Sequence, residues 1–261
     1  VSPSAPAVGP GAQVPERRRV AVVTGASSGI GAATVRRLAG AGFDVVGGAR
    51  RLGRVREVCD PVGARALPLD VTDADAVAAF AEAVGPCDVL VNNAGGALDL
   101  QTVAEADPER WRTMYDTNVL GVVRVTQALL PAIEAGGDGH VVVIGSIAGT
   151  EAYAGGGGYN AAKFGVRALT QVLRAELLGR PVRVSEIDPG LVETEFSLVR
   201  FDGDADRAAE VYAGMTPLSP DDVADAVAWV VTRPAHVNVD SMALMARDQL
   251  GTRAVHRRPA G

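Results

Sequence analysis

Val20-Ala21-Val22-Val23-Thr24-Gly25-Ala26-Ser27-Ser28-Gly29-Ile30-Gly31 is a β-branched run that passes directly into three glycines and then into helix-forming residues. Strand, turn and helix in that order leave the unpaired N–H groups of a helix start at the end of a strand, where an anion is stabilised. Each glycine then has a mechanical duty: a tight turn, close approach of backbone to a pyrophosphate, and close packing of helix on strand. A plain turn is the alternative. The three residues between Gly25 and Gly29 also depart from the tighter dinucleotide fingerprint.

Outward from this stretch the chain alternates short β-branched runs with longer helical ones, the pattern of a parallel sheet covered by helices. Strands are expected at Val20–Thr24, Asp44–Ala49, Ala66–Leu69, Val89–Val91, His140–Ile144, Arg183–Ile187 and, more weakly, Met242–Met245. Helices are expected at Ile30–Ala39, Ala74–Val84, Pro108–Ala135, Tyr159–Leu178 and Pro220–Thr232, with Asp73, Asp107, Pro108, Gly179 and Pro220 as start and stop signals. The fold class is therefore α/β: a single Rossmann-like, doubly wound parallel sheet of about seven strands with helices on both faces. One domain is expected over 19–250, after a Pro, Ala and Gly-rich flexible leader at 1–18 and before a tail at 251–261. Val192–Met215 has no clear periodicity, and a loop of that length late in the chain suits a substrate lid.

The second strand ends Gly47-Gly48-Ala49-Arg50-Arg51. A ribose 2′-hydroxyl would call for an acid here and a 2′-phosphate for arginine. Ala49 and Arg50 thus point to NADP(H). Arg51 either shares that task or is a solvated residue of the next segment, and Arg54 and Arg56 read as surface. Asp70, after Ala66-Leu67-Pro68-Leu69, can accept from an adenine amino group or act as a turn residue. Asn92-Asn93-Ala94-Gly95 sets two amides and a glycine at the same carboxyl edge, where open α/β sheets bind ligands.

Composition narrows the partners. A net charge of −6 with no long basic stripe argues against nucleic acid. No apolar run reaches the roughly 20 residues of a membrane helix, and residues 1–16 lack a signal peptide's apolar core. Cys59, Cys87 and three scattered histidines give neither a disulfide framework nor metal-ligand spacing, so no metal is expected and a reduced, cytoplasmic setting fits.

One basic residue stands apart. Of the 25 lysines and arginines, all are arginine except Lys163, at the end of Gly155-Gly156-Gly157-Gly158-Tyr159-Asn160-Ala161-Ala162-Lys163. Lysine is a compact charge with a movable pKa and arginine a permanently charged fork, so this position asks for an amine. Tyr159 lies four residues earlier, on the same face of a helix.

In order, TGASSGIG, LDV, NNAG, Asn118, Ser146 and Tyr159-x-x-x-Lys163 resemble the short-chain dehydrogenase/reductase family from Val20 to about Met245. The resemblance implies Gly25, Ser27, Ser28, Gly29, Ile30 and Gly31 around the phosphates and Asp70 and Val71 at the adenine. It also implies Asn92, Ala94 and Gly95 at the ribose and back wall, and Pro189, Gly190, Val192 and Thr194 over the nicotinamide. Ser28 stands where some NADP-using members carry a basic residue, which leaves the 2′-phosphate to Arg50 and Arg51. The stretches starting at Pro189 and Arg233 resemble the NADP-dependent 3-hydroxy acid (serine/allo-threonine) dehydrogenase branch. Homotetramers through the two long helices are common in the family.

The chemistry so implied is hydride transfer between NADP(H) and a small alcohol or carbonyl compound. Tyr159 would exchange the proton, and Lys163 would lower its pKa and hold the nicotinamide ribose. The Ser146 hydroxyl would bond the reacting oxygen. Asn118 would hold a relay water; a buried amide serving backbone groups is the plainer reading, and the two are compatible. For a substrate carboxylate the candidate partner is Arg200, with Tyr153 and Phe196 lining the pocket. Its alternative is surface pairing with Asp202 or Asp204. Arg167 is expected to be exposed or at a subunit contact. A 3-oxoacyl-thioester or broad ketone reductase is the competing enzymatic reading, and a non-catalytic dinucleotide sensor the remaining one.

Overall fold

The computed structural model describes residues 17–258; most of the expected leader, residues 1–16, lies outside them. Seven parallel strands form one sheet in the order β3-β2-β1-β4-β5-β6-β7. In chain order the elements are β1 (Val20–Thr24), α1 (Gly29–Gly40), β2 (Asp44–Ala49), α2 (Leu52–Cys59), β3 (Arg65–Pro68), α3 (Ala74–Val84), β4 (Val89–Asn92), α4 (Pro108–Tyr115), α5 (Gly121–Ala135), β5 (Gly139–Ile144), α6 (Gly157–Glu176), β6 (Val182–Pro189), α7 (Phe196–Arg200), α8 (Ala205–Glu210), α9 (Pro220–Val231) and β7 (Ser241–Leu244). The order reverses at β1, whose neighbours are β2 and β4. That is the switch point of a doubly wound sheet, with a crevice above it.

The two-residue period of β1 divides the core. Ala21 and Val23 face a cluster with Val35 and Leu38 of α1 and Val223, Val227 and Val230 of α9. Val22 faces the other cluster, with Phe80 of α3, Val125 and Leu129 of α5 and Val166 of α6. Both faces are buried, which is why these strands read as continuous apolar runs. In β2, a Cβ on Gly47 would meet Cys59 Sγ at 2.8 Å and one on Gly48 the Phe80 ring at 2.6 Å, so bare glycines let α2 and α3 close on the sheet.

The structure departs from the sequence reading in four places. Helix α2 was not expected; only Val55 and Cys59, four apart, are buried in it, and its other residues are largely charged or exposed. The single helix expected over Pro108–Ala135 is divided by a π-turn at Asp116–Leu120. Gly121 follows that turn, and a side chain there would run into Val71 at 2.7 Å. The stretch Val192–Met215 carries the short helices α7 and α8. The expected tail folds back, as β8 (Gln249–Leu250) and β9 (Ala254–Val255) form an antiparallel hairpin with Thr252 N–H donating to Glu151. At the other end, Arg17 pairs with the buried Asp88 at 2.6 Å. Among the described residues no helix is long and apolar enough to cross a membrane.

Candidate active site

A cleft of about 710 Å³ opens along the carboxyl edge of the sheet. Its floor begins at the β1–α1 turn, where Gly25 and Gly29 have φ of +68° and +52°, the left-handed region that glycine adopts without strain. The space above Gly25 is closed to a side chain by Asn93 and Ala94. Ser28 caps α1 with extended backbone and makes no side-chain cap bond, so the first N–H groups of a twelve-residue helix face the cleft. Gly31 lies behind the turn, pressed against the Gly25 carbonyl, and packs helix on strand rather than lining the cleft. A bare-backbone cradle at a helix start, with Arg50 and Arg51 on the rim, fits a phosphorylated dinucleotide.

Asp70 and Val71, expected from the resemblance to meet an adenine, line the same cleft. Partial burial alone would raise the Asp70 pKa, but the Thr72 amide and hydroxyl, at 3.0 and 2.7 Å, and the Arg50 charge hold it below the ordinary value. Arg51 donates to Ser28 Oγ at 2.9 Å and to Glu195 at 3.1 Å, while Arg54, read as surface, reaches the other Glu195 oxygen at 2.6 Å. Glu195 itself drew no attention in the sequence, because nothing local marks a carboxylate that meets partners some 140 residues away.

Asn92 is a correction. Consecutive strand side chains point to opposite faces, and Asn92 turns inward to Thr126 Oγ1 at 3.0 Å, leaving the cleft to Asn93, Ala94 and Gly95. Asn93 donates to the Thr24 carbonyl at 2.9 Å, and Thr24 Oγ1 accepts from the backbone N–H groups of Asn93 and Ala94. These bonds tie β4's exit to the β1 turn.

The glycine run before Tyr159 is a packing device. Side chains on Gly157 and Gly158 would strike the Trp111 ring, at 2.7 and 2.6 Å. Asn160, also missed from sequence, donates to the Ala148 carbonyl at 2.9 Å and so fastens α6 to the 3-10 turn after Ser146. Tyr159 and Lys163 are both nearly buried on one face of α6, with the ammonium 5.8 Å from the Tyr159 ring centre and 2.9 Å from the Ile144 carbonyl. Burial draws Lys163 down to about 8 against the pull of Asp188 and Glu186. Tyr159 is pushed above the usual phenol value by burial and then by Tyr153; Ser146 and Arg200 act in the opposite direction. Arg200 is thus a second cation beside the phenol, in addition to the Lys163 named from sequence.

Ser146 Oγ accepts from Ala148 N–H at 3.1 Å and donates to the Pro189 carbonyl at 3.4 Å. Asn118 sits in the π-turn, and such insertions recur at functional sites. Its amide donates to the carbonyls of Met114 and Gly96, at 2.8 and 2.9 Å, and accepts from Gly96 N–H. The backbone-serving alternative thus describes what this side chain does here.

Pro189, Gly190, Val192 and Thr194 also line the cleft, with Thr194 3.2 Å from where a Cβ on Gly29 would stand. Above Tyr159 the roof comes from α7. Phe196 meets the Tyr159 ring edge-on at 5.4 Å. The Arg200 guanidinium lies 5.5 Å from the ring centres of Tyr153 and Tyr159 and donates to the Tyr153 hydroxyl and the Asp99 carbonyl. Its surface alternative does not form: Asp202 pairs with Arg110 and Asp204 caps α8. Arg167 is not exposed: it is half-buried and bonded to Asp188 at 3.2 Å.

A dinucleotide cradle, a buried tyrosine–lysine pair and a serine beside one cleft on a doubly wound sheet define a nucleotide-dependent oxidoreductase. The short chain dehydrogenase family model matches residues 19–203, and the chain belongs to that family. It is 59% identical over 242 residues, covering 92% of this chain and 96% of the relative, to an uncharacterised oxidoreductase of Mycobacterium tuberculosis (strain ATCC 25618 / H37Rv). It is 42% identical over 233 residues, 87% of this chain and 94% of the other, to the NADP-dependent 3-hydroxy acid dehydrogenase YdfG of Escherichia coli (strain K12). Among solved structures, the closed form of serine dehydrogenase complexed with NADP+ superposes with a TM-score of 0.86 at 41% identity, covering 92% of this chain and all of that one. A variant of actinorhodin polyketide ketoreductase with NADPH gives 0.79 at 32% identity, over 88% and 96%.

Proposed function

We propose that this dehydrogenase interconverts small 3-hydroxy acids and their carbonyl partners, using NADP(H). The observation that carries the substrate class is Arg200. It is a cation at the cleft roof, held over Tyr153, Tyr159 and Phe196, where a carboxylate one carbon removed from the reacting carbon would meet it. Arg50 and Arg51, with Ala49 where an acid would favour a free ribose, support the 2′-phosphate. The names of the relatives support both assignments.

When bound, the cofactor supplies or takes up hydride; the chain positions and protonates. Gly25, Ser27, Ser28, Gly29 and Ile30 would hold the phosphates, Asp70 and Val71 the adenine, and Ala94, Gly95, Pro189, Gly190, Val192 and Thr194 the nicotinamide half. Tyr159 exchanges the proton of the reacting oxygen, and Ser146 donates a hydrogen bond to that oxygen. Lys163 supplies the charge that favours the phenolate and a compact hold on the ribose. Asn118 acts by fixing the Gly96 backbone beside the site. Phe196 and Tyr153 exclude water.

A homotetramer in a reduced cytoplasm completes the reading. Half-exposed Tyr115, Phe164 and Val172 on α4 and α6 support association through those helices, and buried free Cys59 and Cys87 suit the compartment. The deciding experiment is a panel of 3-hydroxy acids, 3-oxoacyl thioesters and simple ketones, each assayed with NADP(H) and NAD(H). Highest kcat/KM for a 3-hydroxy acid with NADP supports the proposal; highest kcat/KM for the thioesters, as for a ketoreductase, overturns the substrate class.

A further inference from the structure

Beneath the catalytic groups lie two acids that the mechanism above does not use. Glu186 and Asp188 project from β6 toward α6, at 3% exposure each. Asp188 Oδ1 accepts from the backbone N–H of Ser146 at 3.0 Å, and Oδ2 accepts from Arg167 at 3.2 Å. Glu186 Oε2 is 3.9 Å from the same guanidinium, and Oε1 is buried with no partner among the described residues. A side chain on Gly145 would collide with both carboxyls, so glycine there is what lets the pair reach the loop. The residue before Gly145, Ile144, gives its carbonyl to Lys163. The turn Ile144-Gly145-Ser146 is thus gripped at one end by the ammonium, at the other by a carboxylate, and in the middle by the Gly145 N–H to Ile187 carbonyl bond of 2.8 Å.

We propose that Glu186 and Asp188, anchored by Arg167, are positioning residues that set the Ser146 backbone and serve as the buried counter-charge keeping Lys163 an ammonium. Burying a cation without an opposite charge is costly, and removing one member of a buried pair leaves the other uncompensated. From α6, Arg167 contacts both acids and Lys163 meets them at the Ile144-Gly145-Ser146 turn, with Tyr159 one helical turn before it on the same face; their register partners Val143, Ser241 and Ala243 on the flanking strands carry no charge. Burial and then the Asp188 charge push Glu186 up to about 7, and burial raises Asp188.

This inference rests on the catalytic roles proposed for Ser146 and Lys163, but its test does not need turnover. Lys163 is the only lysine in the chain, so lysine labelled with 13C at Cε gives one side-chain resonance whose shift reports its titration. In the full chain, Glu186→Gln and Asp188→Asn should each lower the Lys163 midpoint by about 1 unit or more. Asp188→Asn keeps an acceptor for the Ser146 N–H. Its kcat should approach the parent's near pH 6 and fall behind above the lowered midpoint, while Asp188→Ala stays at least about ten-fold low throughout. An unmoved lysine midpoint in the folded near-isosteric Glu186→Gln variant overturns the counter-charge. Equal kcat for Asp188→Ala and the parent overturns the positioning role. If Lys163→Met keeps full turnover while the midpoint shifts are present, the proposed function fails and the counter-charge stands.

Discussion

Arg51 and Glu195 face each other across the mouth of the cleft, guanidinium to carboxylate at 3.1 Å. One belongs to the segment after β2 and the other immediately precedes α7, so the pair joins the phosphate rim to the roof that carries Phe196 and Arg200. Glu195 takes the same Arg51 donors that a 2′-phosphate would take.

Replacing Glu195 by Gln should therefore help NADPH and leave NADH unaffected. The pair is half-exposed, and such pairs contribute about 0.2–1 kcal/mol, which is about 1.4- to five-fold in an equilibrium constant, so the KM for NADPH should fall by up to about five-fold. Arg51→Ala should act in the opposite sense, raising it by about ten-fold. Initial rates with both cofactors check this; an equal change for NADH would mean that Glu195 acts on lid closure and not on the phosphate.

The glycine turn and the placing of Tyr159 and Lys163 on one helix face were legible because each is a local signal: a backbone that only glycine allows, and a spacing that puts two groups on one side of a helix. Asp188, Glu195 and Asn160 escaped for the opposite reason, since their meaning lies in partners brought close only by the fold. Asn92 was misassigned because a sequence reading places a residue at an edge without saying which face it takes. Of the two sequence readings of Arg200, the structure excludes the surface pairing, because Arg110 claims Asp202 and Asp204 caps α8.

Arg200→Met keeps much of the bulk over Tyr159 and removes the charge. A hydrogen bond to a charged group contributes about 1.5–3 kcal/mol, so the KM for 3-hydroxy acids should rise by about ten- to one hundred-fold. Simple ketones should show far smaller changes in KM. Unchanged KM for every carboxylate substrate would remove Arg200 from recognition and with it the support for the acid class.

His140 offers a test in stability. It is fully buried in β5 with Nε2 2.9 Å from Ser185 Oγ, and burial, then the charges of Arg183 and Arg19, depress its pKa to about 3. The unfolded chain takes up that proton below about 6.5 while the folded chain refuses it. Folding stability is therefore undiminished above about 6.5 and falls by about 1.4 kcal/mol per pH unit on the way down toward the folded value. His140→Gln should lose less stability than the parent between pH 6.5 and 5 in urea titrations, even if it starts lower at pH 7. Parallel curves would mean that the imidazole is protonated inside the fold.

The proton step can be read from pH profiles. Tyr159 is held above the ordinary phenol value chiefly by burial, so without a neighbouring cation the phenolate is disfavoured across the working range. Alcohol oxidation needs Tyr159 to accept a proton, and its rate should rise with pH; carbonyl reduction needs Tyr159 to give one, and its rate should fall at alkaline pH. Lys163, drawn down to about 8, carries its charge below that pH and loses it above. Lys163→Met should accordingly lower kcat by about 10²–10⁴ and move the rising limb of oxidation to higher pH. Tyr159→Phe should lower kcat by a similar factor and abolish the limb, because no titrating acid remains on the reacting oxygen. The limb is the discriminating readout: if it persists in Tyr159→Phe, the group titrating is elsewhere, and the buried phenol serves only to pack beneath Phe196.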